Sequence, residues 1–361
     1  MSRVLFLVNG LGLGNSTRCY AVIERLSAAN VEVEIITSDN GLWFFADQQR
    51  IGRVTEMPSL HYGQRSGRID IAATLLRSWS MLKTIRCAEA VLATAIDRFR
   101  PMAVVTDSAY AIRPVRRARL PLVAINNSDM VVRCIRRGGW PSAVLPQFLT
   151  VELGDYVFHR LIPDLVISPR LDPADQSEVG RFRRVGPIVR AACRPQPTRH
   201  GPPERVVVML SGSAFGSPVA LRRSRRGVTV AVIGRSAPAD AAVPAGVSYH
   251  GKLRDSLSLL RDADLLVVNG GCSAVSEALF ARKPALVIPV PRHAEQWANG
   301  DIVRRLGVGM VADETEIDDA IDAALQRIDV FRAGFDRLPA FDDGAARAAQ
   351  FILDRAAGQR R

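Results

Sequence analysis

The stretch from Asp264 to Gly309, DLLVVNGGCSAVSEALFARKPALVIPVPRHAEQWANGDIVRRLGVG, constrains this chain more than any other. Its pattern is strand, tight glycine turn, helix, strand, polar loop, helix. The apolar run Leu265–Val268 ends at Asn269-Gly270-Gly271, and Cys272 and Ser273 then open a helix that carries Glu277 about one turn in. Such a junction aims free backbone N–H groups and the positive end of a helix dipole at whatever lies above it, and the natural ligand there is an anion such as phosphate. A carboxylate one turn along can accept two hydrogen bonds from a vicinal diol. The next apolar run, Ala285–Val290, ends in Pro291-Arg292-His293-Ala294-Glu295-Gln296, a cluster dense in side chains that bind hydroxyls.

Phosphate, ribose and sugar hydroxyls, met in that order, describe a nucleotide-sugar. The spacings GG-x-x-x-x-x-E, A-L-x-x-x-K-P-A-L-V-I-P and E-Q-x-x-N-x-x-x-x-x-x-x-G resemble the donor half of GT-B glycosyltransferases. The resemblance is strongest to the branch of MurG-type N-acetylglucosaminyltransferases and UDP-glycosyltransferases. It implies that Gly270, Gly271, Cys272 and Ser273 face the diphosphate, that Glu277 binds the ribose, and that Glu295 and Gln296, with His293 beside them, bind the transferred sugar. A plain βαβ unit with Glu277 on a solvated face is the simpler alternative, but it leaves the agreement of three spacings unexplained.

A chain of 361 residues, 48 % of them hydrophobic, is long enough for two domains with cores of their own. No apolar run reaches the ~18 residues of a membrane span, and Val4–Val8 meets glycines at once, as a first strand does and a signal peptide does not. Five cysteines (19, 87, 134, 193 and 272) lack metal-ligand spacing and suit reduced thiols in the cytoplasm. The net charge of +12 is almost all arginine, since the chain has three lysines: Lys83, Lys252 and Lys283. Arginines cluster at 113–119, 133–137, 181–184 and 222–226. Such patches fit either a solvated surface or peripheral contact with an anionic membrane at its inner face. No zinc-finger spacing or ribonucleoprotein aromatic motif points to nucleic acid.

Strand and helix patterns alternate twice along the chain, predicting an α/β protein of two doubly wound Rossmann-like domains facing each other across a cleft, the GT-B fold. In the first half strands are expected at Val4–Val8, Glu32–Ser38, Val54–Pro58, Ala103–Asp107, Leu122–Asn126 and Leu165–Ser168. Helices are expected at Thr17–Ala28, Ile71–Phe99 and Phe148–Leu161. Residues 1–171 are assigned to an acceptor domain and 172–204, rich in proline and arginine, to a linker. Within the linker Val185-Gly186-Pro187-Ile188 resembles the segment that precedes the linker of many UDP-glycosyltransferases. Residues 205–340 form the donor domain, with strands at Arg205–Leu210 and Val228–Gly234, an abbreviated crossover between Gly216 and Gly227, and a helix at Leu253–Asp262. Residues 341–361 hold a helix, Ala345–Arg355, expected to cross back onto the first domain.

Strand one runs into Asn9-Gly10-Leu11-Gly12-Leu13-Gly14-Asn15-Ser16-Thr17-Arg18. A dinucleotide fingerprint fails here, because G-x-G-x-x-G started at Gly10 ends on Asn15 and started at Gly12 ends on Thr17. There is no Walker loop. The resembled family has G-x-G-H or G-G-H at this place, with glycines on the diphosphate and a histidine as the base. Gly12 and Gly14 match, and the histidine position is Asn15. An amide orients a hydroxyl but takes no proton at neutral pH. Asp107, at the carboxyl end of the fourth strand, is the first replacement for the base, its alternative role being a helix N-cap. Asp129 and His61 rank below it.

Asp262-Ala263-Asp264 has the spacing of a metal motif but sits at a helix-to-strand junction, where a structural role is expected, so no divalent ion is required. The diphosphate would be held instead by helix N-termini, by Gly212 and Ser213, and by Arg18 or Arg292. Leu253 matches a family position that reads the base edge. The expected activity is inverting, metal-independent transfer of a hexose or N-acetylhexosamine from a nucleotide-sugar, a UDP-sugar first among them, to an acceptor hydroxyl. The acceptor stays open among a lipid-linked sugar, a natural-product aglycone and a glycoconjugate. Two rivals stand beside this: a GT-B epimerase acting on the sugar-nucleotide, and a binding subunit impaired by the loss of the loop histidine.

Overall fold

A computed structural model describes residues 2–58, 64–65, 68–69, 78–176, 178–197, 199–210 and 218–358. Seven parallel strands make the first sheet: β1 (Arg3–Val8), β2 (Glu32–Thr37), β3 (Arg53–Glu56), β4 (Ala103–Asp107), β5 (Leu122–Ile125), β6 (Leu165–Pro169) and β7 (Phe182–Val185). Their order is β3-β2-β1-β4-β5-β6-β7. The second sheet has six parallel strands: β8 (Arg205–Met209), β9 (Thr229–Ile233), β10 (Val247–Tyr249), β11 (Leu265–Val268), β12 (Ala285–Val287) and β13 (Gly309–Val311). They lie in the order β10-β9-β8-β11-β12-β13. The apolar runs LFLV, AVV and LLVV are buried on both faces because helices cover both sides of each sheet.

Each order reverses once. The first chain segment leaves β1 outward to β3 and then returns to β4 on the other side of β1, with Val8 in register with Asp107. The second leaves β8 outward to β10 and returns to β11, with Met209 in register with Val268. A reversal opens a crevice beyond the carboxyl ends of the two central strands, since their following helices go to opposite faces. The Gly10–Gly14 loop and Asp107 lie at the first crevice, and Asn269-Gly270-Gly271 at the second.

The helices that shape the cleft are α1 (Leu13–Ala28), α2 (Asp39–Phe45), α3 (Ser78–Phe99), α4 (Arg113–Arg117), α5 (Ser128–Arg136) and α6 (Leu153–Leu161). They continue with α7 (Leu257–Asp262), α8 (Cys272–Phe280), α9 (Ala294–Arg305), α10 (Ile317–Gln326), α11 (Ile328–Asp336) and α12 (Gly344–Ala357). Among the described residues no helix is long and apolar enough to cross a membrane.

Several expectations shift. Helix α1 begins at Leu13, four residues before the expected Thr17, because Gly12 takes the extended N-cap conformation. The expected helix from Ile71 is described from Ser78 onward, and its first turns lie outside the described residues. The expected Phe148–Leu161 helix opens with a π-turn, Phe148–Glu152. Helix α7 starts at Leu257, not Leu253, where the Asp255 carboxylate accepts from the Leu257 N–H at 3.0 Å. Residues 218–228 of the crossover contain no helix, and 211–217 lie outside the described residues. Phe182–Val185, placed in the linker by its composition, is the last strand of the first sheet, pairing with β6 from Val166↔Phe182 to Pro169↔Val185.

Helix α12 does pack on the first domain. Its Ala345, Ala348, Ala349 and Ile352 join the core formed by Val4, Phe6, Val22 and Leu26. Asp343 caps it, accepting from the Ala346 N–H at 2.9 Å, and pairs with Arg25 of α1 at 2.9 Å. The chain crosses itself here so closely that a Cβ at Gly344 would lie 2.0 Å from the Gly186 carbonyl oxygen. That contact gives Val185-Gly186-Pro187 a physical reason. Ile352→Ala should leave a cavity between α12 and the first sheet and cost about 2–5 kcal/mol in urea unfolding.

Candidate active site

The two crevices face each other across a cavity of 460 Å³. The first domain lines it with the glycine loop from Leu11 to Asn15 and with Arg18, Tyr110, Asn126, Asn127, Gln147, Glu152 and Asp155. The second contributes Lys252, Leu253, Gly271, Cys272, Ser273, Glu277, His293, Glu295 and Gln296. Gly212 and Ser213 lie outside the described residues, as does His61.

Helix α8 starts at the floor of the cavity. Its N-cap is Gly271, extended and with no side-chain cap, so its first N–H groups are free of side-chain partners. Gly270 has φ +83°, and a Cβ there would lie 2.7 Å from the Gln296 carbonyl oxygen. Only glycine fits a left-handed turn pressed against the start of α9. Buried Asn299 seals that contact, donating to the Gly270 carbonyl at 2.7 Å. Ser273 reaches the other domain, where its Oγ donates to the Gly14 carbonyl at 2.7 Å. The two glycine turns therefore meet at one point.

Glu277 is buried at 5 % exposure, and its Oε1 accepts from Arg190 Nε and Nη2 at 2.9 Å each. Arg190 comes from the segment joining the domains, and no sequence motif singles it out. Gln296 folds back so that its Oε1 accepts from the Val290 N–H at 2.8 Å. Glu295 Oε1 accepts from Asn127 of the first domain at 3.0 Å. His293 is the N-cap of α9, and burial lowers its pKa below the usual histidine range, outweighing the opposing charge of Glu295. Leu253 lines the cavity between two basic residues that stack on Trp43 of α2: the Lys252 ammonium at 4.3 Å and the Arg254 guanidinium at 4.9 Å from the ring centroid. Arg254 also pairs with Asp47.

On the facing side, Asp107 is fully buried and clamped by Arg18. Nε donates to Oδ2 at 2.9 Å and Nη2 to Oδ1 at 2.7 Å. Burial alone would lower the Arg18 pKa, but the Asp107 charge overrides it and holds the guanidinium more firmly protonated than usual. Each Asp107 oxygen also takes a second donor, Ser108 Oγ on Oδ1 at 3.3 Å and Cys19 Sγ on Oδ2 at 3.4 Å, and the carboxylate is not in the cavity wall, so it does not face a substrate proton. In this geometry Asp107 anchors Arg18 and does not line the cavity. Arg18 in turn donates to Asn15 Oδ1 at 3.3 Å, while Asn15 Nδ2 donates to the Asn9 carbonyl at 3.3 Å. Asn15 is thus held by both ends of its amide. Asp129 is also structural, buried against Ser168 at 2.8 Å and Arg184 at 2.5 Å.

Asp264 of the acidic motif is equally committed. It accepts from the N–H groups of Glu204 and Arg205 at 2.8 and 3.1 Å and from Arg332 at 3.0 Å. Arg133 pairs with Asp175, and Arg225 with Asp318 and Asp322, so parts of the arginine clusters serve the fold. The cysteines are all free thiols, and burial pushes Cys272 up to about 11, leaving it uncharged.

Two features escaped sequence reasoning. One is Arg190. The other is Glu152 in the π-turn, beside Asp155, which hydrogen-bonds to Tyr110 at 2.7 Å, to Asn126 at 2.8 Å and to His159. Burial pushes Asp155 up, but these bonds outweigh it and hold it below the usual carboxylate range.

The profile of glycosyl transferase family 1 matches residues 2–141 and 185–329, more than half of the chain. The chain belongs to this family. It is similar to an uncharacterized glycosyltransferase of Methanosarcina acetivorans, 23 % identical over 337 residues, covering 85 % of this chain and 84 % of that one. Among solved structures it is similar to MurG of Acinetobacter baumannii, with a TM-score of 0.61, 15 % identity, and coverage of 98 % of this chain and 100 % of that one. It is also similar to the glycosyltransferase VinC, in complex with dTDP, with a TM-score of 0.58, 17 % identity and coverage of 99 % and 100 %. This glycosyltransferase therefore has the GT-B architecture of two Rossmann-like domains.

Removing one partner of the Arg18–Asp107 pair should be costly, since it strands a buried charge. Asp107→Ala should destabilise the protein by about 3–5 kcal/mol in chemical denaturation. Gly270→Ala should also destabilise it, because it forces α9 away from the α8 turn.

Proposed function

We propose that the protein transfers a hexose or N-acetylhexosamine from a nucleotide-sugar to an acceptor hydroxyl, with inversion and without a metal ion. The observation that carries this reading is Glu277, buried one turn inside an uncapped helix start at the cavity floor. Free N–H groups of Gly271, Cys272 and Ser273 suit a diphosphate. Arg190 takes Oε1 of Glu277, and among the described residues no donor reaches Oε2, which is placed to accept from a ribose diol. Leu253 and the basic residues beside it suit the base end of the nucleotide. Gly12 and Gly14 let the diphosphate approach the first domain closely, and Arg18 adds a fixed positive charge. Glu295 and Gln296 suit the sugar hydroxyls. The acceptor comes from the first domain and attacks the anomeric carbon from the face opposite the diphosphate. The protein supplies leaving-group stabilisation and positioning, with no step that calls for a divalent cation.

A UDP-sugar is the first donor to test, and dTDP-sugars follow, because VinC is a relative in fold whose structure holds dTDP. An epimerase or an inactive binding subunit is less well supported, since the cavity extends well past the donor residues to Tyr110, Asn126 and Asp155.

A lipid-linked acceptor has support of its own. Leu149, Val157 and Leu161 project outward from the π-turn and α6 at 52 %, 45 % and 60 % exposure, while Glu152 and Asp155 of the same segment line the cavity. Exposed Arg117, Arg136 and Arg160 belong to α4, α5 and α6. Exposed apolar side chains together with exposed arginines fit an anionic bilayer surface.

A thermal-shift screen of UDP-, dTDP- and GDP-sugars tests the donor. A ligand at 100 times its Kd adds about 2.7 kcal/mol to stability. Glu277→Ala should weaken binding of the responding nucleotide about 10- to 100-fold, as expected for ~1.5–3 kcal/mol from hydrogen bonds to a charged group. No response to any nucleotide-sugar would overturn the reading. The triple change Leu149→Ser, Val157→Ser and Leu161→Ser should reduce sedimentation with vesicles of anionic phospholipid while leaving nucleotide binding unchanged.

A further inference from the structure

Four carboxylates line the described cavity: Glu152, Asp155, Glu277 and Glu295. Asp155 is saturated by Tyr110, Asn126 and His159, and Glu277 is paired with Arg190. Glu152 and Glu295 are held by neutral amides instead. Glu152 Oε1 accepts from Gln147 Nε2 at 2.8 Å, and among the described residues no donor reaches its Oε2. The other end of the Gln147 amide crosses the cleft, where its Oε1 accepts from the Ala294 N–H at 3.0 Å. Ala294 is the first residue of α9, and the next residue is Glu295. One side-chain amide thus ties Glu152 of the first domain to the helix start that presents Glu295 from the second.

We propose that Glu152 is the base that takes the acceptor's proton, and that Gln147 ties the two walls together so that Glu295 faces it and arms it. This rests on the sugar-transfer reading above. As the acceptor oxygen bonds to the anomeric carbon, its proton passes to Glu152 Oε2. The bond from that carbon to the diphosphate breaks, and the electron pair leaves with the nucleoside diphosphate. Asn15 cannot do this, because it has no basic lone pair, and Asp107 is locked on Arg18.

The surroundings favour a base that works near neutral pH. Burial, and then the charge of Glu295, push the Glu152 carboxyl up to about 8 against the Gln147 hydrogen bond, which pulls the other way, and Asp155 on the following turn adds to the rise. His293 at the start of α9 is held neutral by burial. On α5, Asp129 is spent on Arg184 and Arg133 on Asp175, and Arg136 is exposed. No cation close to Glu152 offsets the negative charge among the described groups. An acid of this strength is a better proton acceptor than an ordinary carboxylate, and a base matched to the working pH is the most effective.

The test uses the full-length protein with UDP-glucose, UDP-N-acetylglucosamine and dTDP-glucose, with water as acceptor, reading nucleoside diphosphate release against pH. Wild type should show an acidic limb, with activity rising to a plateau above about pH 8. Glu152→Gln should slow release about 10²- to 10⁴-fold at the plateau, with nucleotide-induced thermal shift retained. Glu295→Gln removes the facing charge, so its limb should move to lower pH even though sugar binding weakens. Stability gives a second readout. The folded-state pKa of Glu152 is raised, so the wild type loses stability as pH climbs from the unfolded carboxylate value of about 4.3 through about 8, and Glu152→Gln does not. If the donors bind but Glu152→Gln releases product at the wild-type rate with the same limb, Glu152 is not the base and the transfer reading survives. If no donor binds the wild type, the transfer reading falls and the base assignment falls with it.

Discussion

Closing two parallel sheets carboxyl edge to carboxyl edge puts acidic side chains where water is scarce, and each must find a partner or a proton. This constraint organises the cleft. Asp107 takes Arg18, Glu277 takes Arg190, and Asp155 takes a phenol, an amide and an imidazole. These three are held in place by their partners, and they fix the geometry around them. Glu152 and Glu295 receive amides alone, from Gln147 and Asn127. A buried pair of like charges held by neutral donors cannot both stay ionised cheaply, so one carries a proton near neutral pH. The same packing thus separates rigid groups from titrating ones.

The contacts that seal the cleft are polar and few per element. Ser273 touches Gly14, Glu295 touches Asn127, Gln147 touches Ala294, and Trp43 is covered by Lys252 and Arg254. Apolar burial joins them where Ala294 and Ala298 of α9 pack with Phe148 and Val144, and where Met130 of α5 and Leu171 share a core with Cys272 and Ile302. An interface of this kind holds the domains in register through directional contacts. The π-turn at Phe148–Glu152 sits at that junction, and its widened geometry presents Glu152 inward while Leu149 points out.

The glycine turn and helix start of the second domain were legible because their geometry is local. A glycine turn, a helix start and a carboxylate one turn along are set by spacing within a dozen residues, and the structure places Gly270, Gly271, Cys272, Ser273 and Glu277 around one point. The alternation of apolar runs likewise carried the two sheets. Short elements escaped: β10 and β13 have three residues each, and α2 and α4 have seven and five. Composition misled at β7, where FRRV looks like a charged linker. Its burial pattern is explained by Arg184 turning inward to Asp129 and Ser168. Arg190 and Glu152 were illegible for another reason. Their roles come from partners 87 residues away, at Glu277, and across the cleft, at Glu295, and no local pattern encodes such pairings.

The substitution that looked most damaging in the sequence, asparagine where the resembled family has a histidine, becomes coherent beside Arg18. That guanidinium donates to Asn15 Oδ1 and is held in place by Asp107. An imidazole at position 15 would face a fixed cation a few ångströms away, which disfavours its protonated form and weakens it as a base. An amide tolerates the cation and uses it as a hydrogen-bond donor, leaving its own dipole oriented by Asn9. Positive charge at this loop helps a diphosphate and hinders a base, so the two duties separate. In the proposed transfer the anion falls to Arg18 and the helix starts, and the proton to the far wall, where acidic groups crowd and no guanidinium intrudes among the described residues.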